Sequence, residues 1–304
     1  MVDSKHQWKA WLYLLPAIIL LLIFTVWPII NTIMISFQEG YNDLKAMRGA
    51  EFKIGFGNFE KVIAYKQFGS MLKNTMLLCV LTVTISTFLA LLIAVCLNSI
   101  KFLSRFIQTI FFLPYVTNSI AIGMVFAAMF NNPGNSMGIV NRLLDMIGLN
   151  PVNWINAGSN YWANIAVMTI YIVWNALPFK ILILLGGLQS VNRQYYDAAK
   201  IDSTPRWRVF TKITVPLLSP MIAYVVITGF IGGFKEYSSI VGVFGDTMGP
   251  AGDKDRLNTM VGFIYNRIPK HDLGIASAAA LILFAIIFAV TMVNLYVSKK
   301  KTHF

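Results

Sequence analysis

Few residues in this 304-residue chain have types and spacing that could do chemistry, and their placement is unusual. Lys180, Lys235 and Glu236 fall inside long apolar stretches. A charge at the centre of a bilayer costs about 2.5–3.5 kcal/mol on insertion scales, so such groups usually face a cavity or a partner. The adjacent pair lies in Gly232-Gly233-Phe234-Lys235-Glu236-Tyr237-Ser238-Ser239, where glycines thin a helix and permit a break. It either lines a cavity or forms an ion pair with a neighbouring helix. Lys180 is expected to snorkel toward the cytoplasmic end of its helix. Covalent chemistry has little to work with. His6 and His303 lie in the tails and His271 in a connecting loop, which leaves no metal cluster to build with Cys79 and Cys96. The two cysteines are 17 positions apart in one apolar run. On a helix that is about 25 Å, too far for a disulfide. No Gly-x-Ser-x-Gly elbow occurs, and no Gly-x-x-x-x-Gly-Lys-Ser/Thr phosphate loop. If ATP drives anything here, another subunit binds it.

The elements that must position these groups are membrane spans. Apolar residues make up 57% of the chain and charged residues 12%, against about 45–50% and about 25% in soluble domains. The net charge of +12 accompanies long apolar runs. That combination serves membrane topology rather than phosphate contact, so a nucleic-acid partner is not expected. Six stretches approach the roughly 20 residues that cross a bilayer: 11–35, 72–97, 106–130, 161–185, 217–243 and 273–297. The first reads as a retained span rather than a cleaved signal, because its apolar run is too long and no small-x-small site follows Ile30. Segments 1–10, 98–105, 186–216 and 298–304 carry 12 Lys and Arg in 56 residues, opposed by Asp3, Asp197 and Asp202. The loops at 36–71, 131–160 and 244–272 are nearly charge-balanced. By the positive-inside rule both termini are cytoplasmic, which requires an even number of spans. Turn chemistry at Asn131-Asn132-Pro133-Gly134-Asn135 precedes Ile139, Val140, Leu143, Leu144 and Ile147 at helical spacing, predicting a short amphipathic helix at the outer interface.

The cytoplasmic loop 186–216 has the most local structure written into it. Tyr196-Asp197-Ala198-Ala199-Lys200-Ile201 predicts a helix with Asp197 in its first turn, favouring the positive end of the dipole. Thr204 is placed to cap a second helix starting at Pro205. In that helix Trp207, Phe210 and Ile213 form an apolar stripe opposite Arg208 and Lys212, and Pro216 and Pro220 end it. A membrane-surface helix and a docking knob fit this pattern equally well.

The residues themselves resemble a known element. Tyr196-Asp197-Ala198-Ala199-Lys200-Ile201-Asp202-Ser203-Thr204, followed by Phe210, Ile213, Pro216-Leu217-Leu218 and Pro220, is similar to the EAA loop of binding-protein-dependent ABC importer permeases. Asp197 stands for the family's Glu, Ser203 for its Gly and Thr204 for its Ala. Gly187-Leu188-Gln189-Ser190, Thr247-Met248-Gly249-Pro250 and Leu273-Gly274-Ile275-Ala276-Ser277-Ala278 resemble the carbohydrate branch, particularly its maltose-permease first subunit. The resemblance implies an all-α, polytopic fold of six transmembrane helices, the MetI-like type I importer permease fold. It divides the chain into an N-terminal helix and loop (1–70), a permease core (71–297, with the coupling loop near 195–220) and a basic tail (298–304).

The resemblance further implies that the chain is not an enzyme, binds no cofactor itself, and works with ATP and Mg held by two cytoplasmic ATPase subunits. The other implied partners are a second, homologous permease forming a heterodimer, an extracytoplasmic solute-binding protein, membrane lipid, and a sugar or oligosaccharide. The location implied is the cytoplasmic membrane of a bacterium or archaeon. Asp197, Ala198, Ala199, Asp202, Ser203, Trp207 and Phe210 correspond to ATPase-coupling positions. Asn175, Ala176 and Phe179 on the fourth span, with Gly233, Phe234, Lys235, Glu236 and Tyr237 on the fifth, correspond to substrate-contacting walls. Gly233, Lys235 and Glu236 occupy positions where the family carries sugar-contacting Asn, implying a different sugar or an altered site. Sugar suits such a cavity, since its C–H face packs on rings while its hydroxyls need donors and acceptors. The competing class is an ion-coupled secondary transporter built on Lys235 and Glu236.

Overall fold

A computed structural model describes residues 7–100, 106, 109, 110, 113, 115–132 and 137–301. The described elements are helical: α1 (Gln7–Leu21), α2 (Trp27–Phe37), α3 (Asp43–Met47), α4 (Gly57–Ile63), α5 (Phe68–Ser99), α6 (Ser119–Phe130), α7 (Ile139–Met146), α8 (Tyr161–Ser190), α9 (Arg193–Ile201), α10 (Arg206–Val209), α11 (Val215–Leu217), α12 (Ser219–Gly233), α13 (Ser238–Phe244), α14 (Met260–Arg267) and α15 (Leu273–Lys301). The one extended pairing among the described residues is an isolated antiparallel bridge between Gln38 and Ile54.

Asparagine starts many of these helices. Asn42, Asn118, Asn160 and Asn192 each accept a hydrogen bond from a backbone N–H of the first turn, at 3.2, 2.9, 2.9 and 3.0 Å. A cap of this kind stabilises a helix by about 1 kcal/mol. Proline shapes others. Short π-helical segments occupy Leu22–Val26 and Phe210–Thr214, each closing just before a proline, Pro28 and Pro216. A proline offers no N–H to the carbonyl four residues back and crowds it, and the wider turn relieves both problems.

Four helices are long and apolar enough to cross a membrane: Trp11–Phe37, Phe68–Ser99, Tyr161–Ser190 and Leu273–Lys299. A fifth results if Arg206–Leu217 and Ser219–Gly233, bent by 67°, form one span. Among the described residues, five of the six spans expected from hydropathy therefore have a counterpart of full length, four continuous helices and one broken one. Of the third expected span, 106–130, the structure describes Ser119–Phe130 as a continuous helix, and residues 101–105 lie outside the described residues. The fifth expected span, 217–243, is not one helix. It ends at Gly233, crosses four non-helical residues and resumes at Ser238. Gly232 and Gly233 weaken the helix there, and the Glu236 carboxylate accepts the Ser239 N–H at 3.1 Å, satisfying a donor that an uninterrupted helix would have paired.

The chain divides into two compact units, 1–68 with 263–284 and 69–262 with 285–304. In the first, Asn58 is fully buried and stitches a loop: its amide donates to the carbonyls of Ser36 and Gln38 at 3.0 and 2.7 Å and accepts from Gly40 N at 3.0 Å. His271 Nδ1 lies 2.9 Å from Asp43, and this hydrogen bond is the main cause holding the Asp43 carboxyl below its ordinary range.

The second unit holds two apolar cores. Leu78 of α5, Phe126 and Phe130 of α6, Met168 and Tyr171 of α8 and Ile240 of α13 anchor one. Ala90 and Ala94 of α5, Leu184 and Leu188 of α8, Leu218 between α11 and α12, and Val225 of α12 anchor the other. On both α5 and α8 a group of polar residues falls between the two cores: Thr82, Ser86 and Thr87 on one, Asn175 and Lys180 on the other. The amphipathic helix expected near residue 139 is α7, tethered by buried Asn141, which exchanges hydrogen bonds with Val152 at 2.9 and 3.1 Å and accepts from Trp154 Nε1 at 3.0 Å. The expected turn at 131–135 lies largely outside the described residues.

Helices α6 and α13 cross at a pair of glycines. A Cβ on Gly242 would lie 2.9 Å from Gly123 Cα, and one on Gly123 2.6 Å from Gly242 Cα. Backbone meets backbone there, so neither side has a flexible group that can yield. Gly242→Val should cost on the order of 1–3 kcal/mol by overpacking, read as a lower thermal midpoint of the purified protein, whereas Gly232→Ala, with nothing within 4 Å of its Cβ, should leave the midpoint nearly unchanged.

Candidate functional site

Between the two cores of the second unit lies a cavity of about 330 Å³. Its walls come from α5 (Thr82, Val83, Ser86), α8 (Ile172, Asn175, Ala176, Phe179, Lys180), α12 (Thr228, Gly229, Gly232, Gly233), the break after it (Glu236), and Tyr115. Tyr115 and Phe179 stack with centroids 6.0 Å apart and planes inclined by 17°. Glycine makes room for this space and brings α12 close to α5. A Cβ on Gly233 would lie 2.8 Å from Cys79 Sγ, and one on Gly229 3.2 Å from Lys180 Nζ and 3.3 Å from a Val83 methyl.

Lys180 does not snorkel, contrary to expectation. It is buried, and its ammonium donates to Ser86 Oγ at 2.7 Å, Thr87 Oγ1 at 2.9 Å and the Val83 carbonyl at 3.3 Å. Three donors meet three acceptors on one neighbouring helix, so the stem has no reason to travel to water. Ser86 in turn donates a hydrogen bond to the Thr82 carbonyl. Asn175 is far less committed, since its amide makes one long contact of 3.5 Å to Ser119 Oγ. Tyr171 donates to the Ser119 carbonyl. Asn118 caps α6. Pro178 withholds an N–H from the Trp174 carbonyl inside α8. Trp174 packs on Phe126 with centroids 5.6 Å apart.

Of the eight residues anticipated as substrate walls, five meet in this cavity: Asn175, Ala176, Phe179, Gly233 and Glu236. The other three point elsewhere. Phe234 is buried, Tyr237 packs against the core around Tyr171, and Lys235 is exposed on the chain. Loss of helix geometry after Gly233 sends consecutive side chains in different directions, which separates Lys235 from Glu236. Among the described residues the two form no ion pair within the chain. Sequence reading missed Thr82, Ser86, Thr228 and Tyr115. Thr82 and Ser86 could have been found as two hydroxyl residues four apart on one face of an otherwise apolar helix.

The coupling-like loop is built differently from its sequence expectation in detail. Helix α9 starts at Arg193 behind the Asn192 cap, so Asp197 sits in the second turn and pairs with Lys200 at 3.0 Å, both side chains exposed. Such a pair is worth about 0.3–0.5 kcal/mol. The turn that follows is a Schellman motif: Ser203 N donates to the Lys200 carbonyl at 3.0 Å and Thr204 N to the Ala199 carbonyl at 2.9 Å, with Ser203 in the left-handed region at φ 50°. Ser203 thus takes the conformation for which glycine is ordinarily chosen. Thr204 does not cap α10: the cap position belongs to Pro205, with no side-chain hydrogen bond. Ala198, Asp202 and Trp207 are exposed, with Tyr195 and Ile201 beside them, whereas Ala199 is buried and Phe210 half-buried on the opposite side. Rings of Trp207 and Phe210 lie 5.7 Å apart.

Residues 62–303 match the family described as binding-protein-dependent transport system inner membrane component. The chain is 32% identical to the lactose transport system permease protein LacF of Rhizobium radiobacter over 85% of this chain and 82% of that one. It is 31% identical to the arabinooligosaccharides transport system permease protein AraP of Halalkalibacterium halodurans, over 93% and 85%. Among solved structures, a chain of a bacterial alginate ABC transporter, crystallised in complex with an alginate pentasaccharide-bound periplasmic protein, superposes with a TM-score of 0.80 at 25% identity, covering 99% of this chain and 97% of that one.

The Lys180 cluster generates a double-mutant test. Ser86→Ala combined with Thr87→Val strands a buried ammonium, which should cost about 1–3 kcal/mol and lower the thermal midpoint. In a Lys180→Met background the same pair of changes should cost almost nothing, because no charge remains to be satisfied.

Proposed function

The chain belongs to the family of binding-protein-dependent transport system inner membrane components, and on that premise we propose that it is the permease subunit through which a sugar or oligosaccharide crosses the cytoplasmic membrane by alternating access. It is an integral membrane transport component of an ABC importer, not an enzyme. The observation that carries the sugar assignment is the makeup of the 330 Å³ cavity: stacked rings of Tyr115 and Phe179 beside the Asn175 amide, the Thr82 and Thr228 hydroxyls and the Glu236 carboxylate. Rings take the C–H face of a pyranose, and the polar groups take its hydroxyls. The names of the relatives, lactose and arabinooligosaccharide permeases, agree with that chemistry.

The remaining parts of the reading follow from the same premise. A second, homologous permease completes the path as a heterodimer. Two ATPase subunits, holding ATP and Mg, grip the exposed face formed by Ala198, Asp202 and Trp207. Asp197 and Ser203 flank that face and shape its turn, while Ala199 and Phe210 anchor the loop from behind. Closure of the ATPases pulls this loop and moves α12 through the 67° bend at Leu218. A solute-binding protein delivers the sugar from outside, and both termini lie in the cytoplasm. The permease core is 71–297, with 1–70 as an added helix and loop and 298–304 as a basic tail. An ion-coupled carrier built on Lys235 and Glu236 finds no support, because the two side chains diverge.

Two variants read by two assays test this. Ala198→Arg, at an exposed position, should reduce co-purification of the ATPase at least tenfold while the two membrane subunits stay together. Asn175→Leu should leave assembly intact and reduce ATP-driven sugar uptake at least tenfold in proteoliposomes. Uptake by the Ala198→Arg protein at the unmodified rate, with no ATPase bound, would overturn the coupling role. Undiminished uptake in Asn175→Leu would overturn the site.

A further inference from the structure

Behind the exposed face of the coupling loop lies a second cleft, of about 450 Å³, that the transport reading does not use. Polar groups converge on it from three segments: Asn98 and Ser99 at the carboxyl end of α5, Tyr196 and Lys200 on α9, and Thr204 and Arg206 around the start of α10. Among the described residues, no aspartate or glutamate lines it. Lys200 is drawn outward by Asp197 at 3.0 Å. Arg206 is different: its guanidinium has no hydrogen bond or ion pair among the described residues. A planar fork of five donors, left unpaired in a cleft that also offers hydroxyls, matches the oxygens of a phosphate group.

Position gives the cleft a consequence. Its far wall is Val95 and Leu188, part of or next to the second apolar core, and its near wall is the inner side of the coupling helix, where Ala199 is buried. Ala198, one residue on, faces away. A ligand seated here joins the loop to the membrane helices without covering the face that an ATPase would grip. Basic pockets between helices at the cytoplasmic surface are also where anionic headgroups collect.

We propose that the cleft between α5 and the α9–α10 turn binds a phosphate-bearing ligand, the headgroup of an anionic lipid or a soluble phosphate ester, on Arg206 with the hydroxyls of Tyr196 and Thr204, and that this ligand braces the coupling loop against α5. The lipid source rests on the proposed cytoplasmic placement of the loop. The binding itself does not.

The test uses the full-length chain in its transporter complex, purified in neutral detergent, with thermal unfolding as the readout. Ligand binding to the folded state raises the midpoint in proportion to occupancy. Dioleoyl phosphatidylglycerol should raise the midpoint by several degrees, and dioleoyl phosphatidylcholine should not. Glycerol 3-phosphate, compared with glycerol, distinguishes the sources: a response to it assigns the site to phosphate esters generally, and a response to the lipid without it assigns the site to a headgroup. Arg206→Gln, at an exposed position, should raise the half-saturating concentration at least tenfold, with Arg206→Lys between the two. Thr204→Val provides a second variant, with a smaller loss in the same direction. Equal responses to the two lipids with none to glycerol 3-phosphate, or an unchanged anion response in both Arg206→Gln and Thr204→Val, would overturn the proposal. Because no transport is measured, failure here leaves ATP-driven uptake untouched, and failure of the sugar reading leaves the anion response untouched.

Discussion

A buried ammonium held by a single neighbouring helix organises the centre of this protein. Lys180 reaches from α8 to Ser86, Thr87 and the Val83 carbonyl of α5 at 2.7 to 3.3 Å. Burying that charge is costly unless its protons are all accepted, so α5 must present hydroxyls in one register relative to α8. This fixes the two longest helices of the second unit against each other where neither apolar core reaches. The cavity exists because of it, since side chains that would otherwise fill the gap are replaced by a polar rung and by glycine on the third wall.

Glycine and proline then decide how the remaining helices surround that rung. Gly229 and Gly233 let α12 approach Val83 and Cys79 of α5, and the helix ends at Gly232-Gly233. The four residues after Gly233 split what hydropathy presents as one span, turn Glu236 into the cavity and leave Lys235 outside it. At the other end of α12, the bend of 67° near Leu218 sits between Pro216 and Pro220, after a π-helical turn. Helix α12 is thus bent at one end and broken at the other. The turn between α9 and α10 is held by Schellman backbone hydrogen bonds, with its left-handed position filled by Ser203 rather than glycine.

Much of this was legible in the order of residues. Long apolar runs announced the spans, because a bilayer demands about 20 apolar residues whatever their neighbours are. The coupling loop was legible as a pattern of helix, turn and proline, since those preferences act over a few residues. Three of the five anticipated wall residues that meet in the cavity do so for the same local reason: Phe179 follows Ala176 by three positions and Asn175 by four, which stacks them along one side of α8. Legibility failed wherever direction depended on a distant partner. Lys180 was expected to reach toward water because nothing within its own helix can accept three hydrogen bonds.

The sequence by itself thus determined that this is a helical membrane protein with a helix-turn-helix loop between the fourth and fifth spans that hydropathy marks. Hydropathy, charge placement and turn propensity are properties of short stretches and need no partner. Tertiary structure alone decided which polar groups face one another: that Lys180 belongs to Ser86 and Thr87, that Lys235 and Glu236 part company, and that Ala198 points outward while Ala199 is buried. Those outcomes turn on contacts between residues about 90 positions apart and on where a helix stops. Free energies that small and that non-local are set by packing, not by composition.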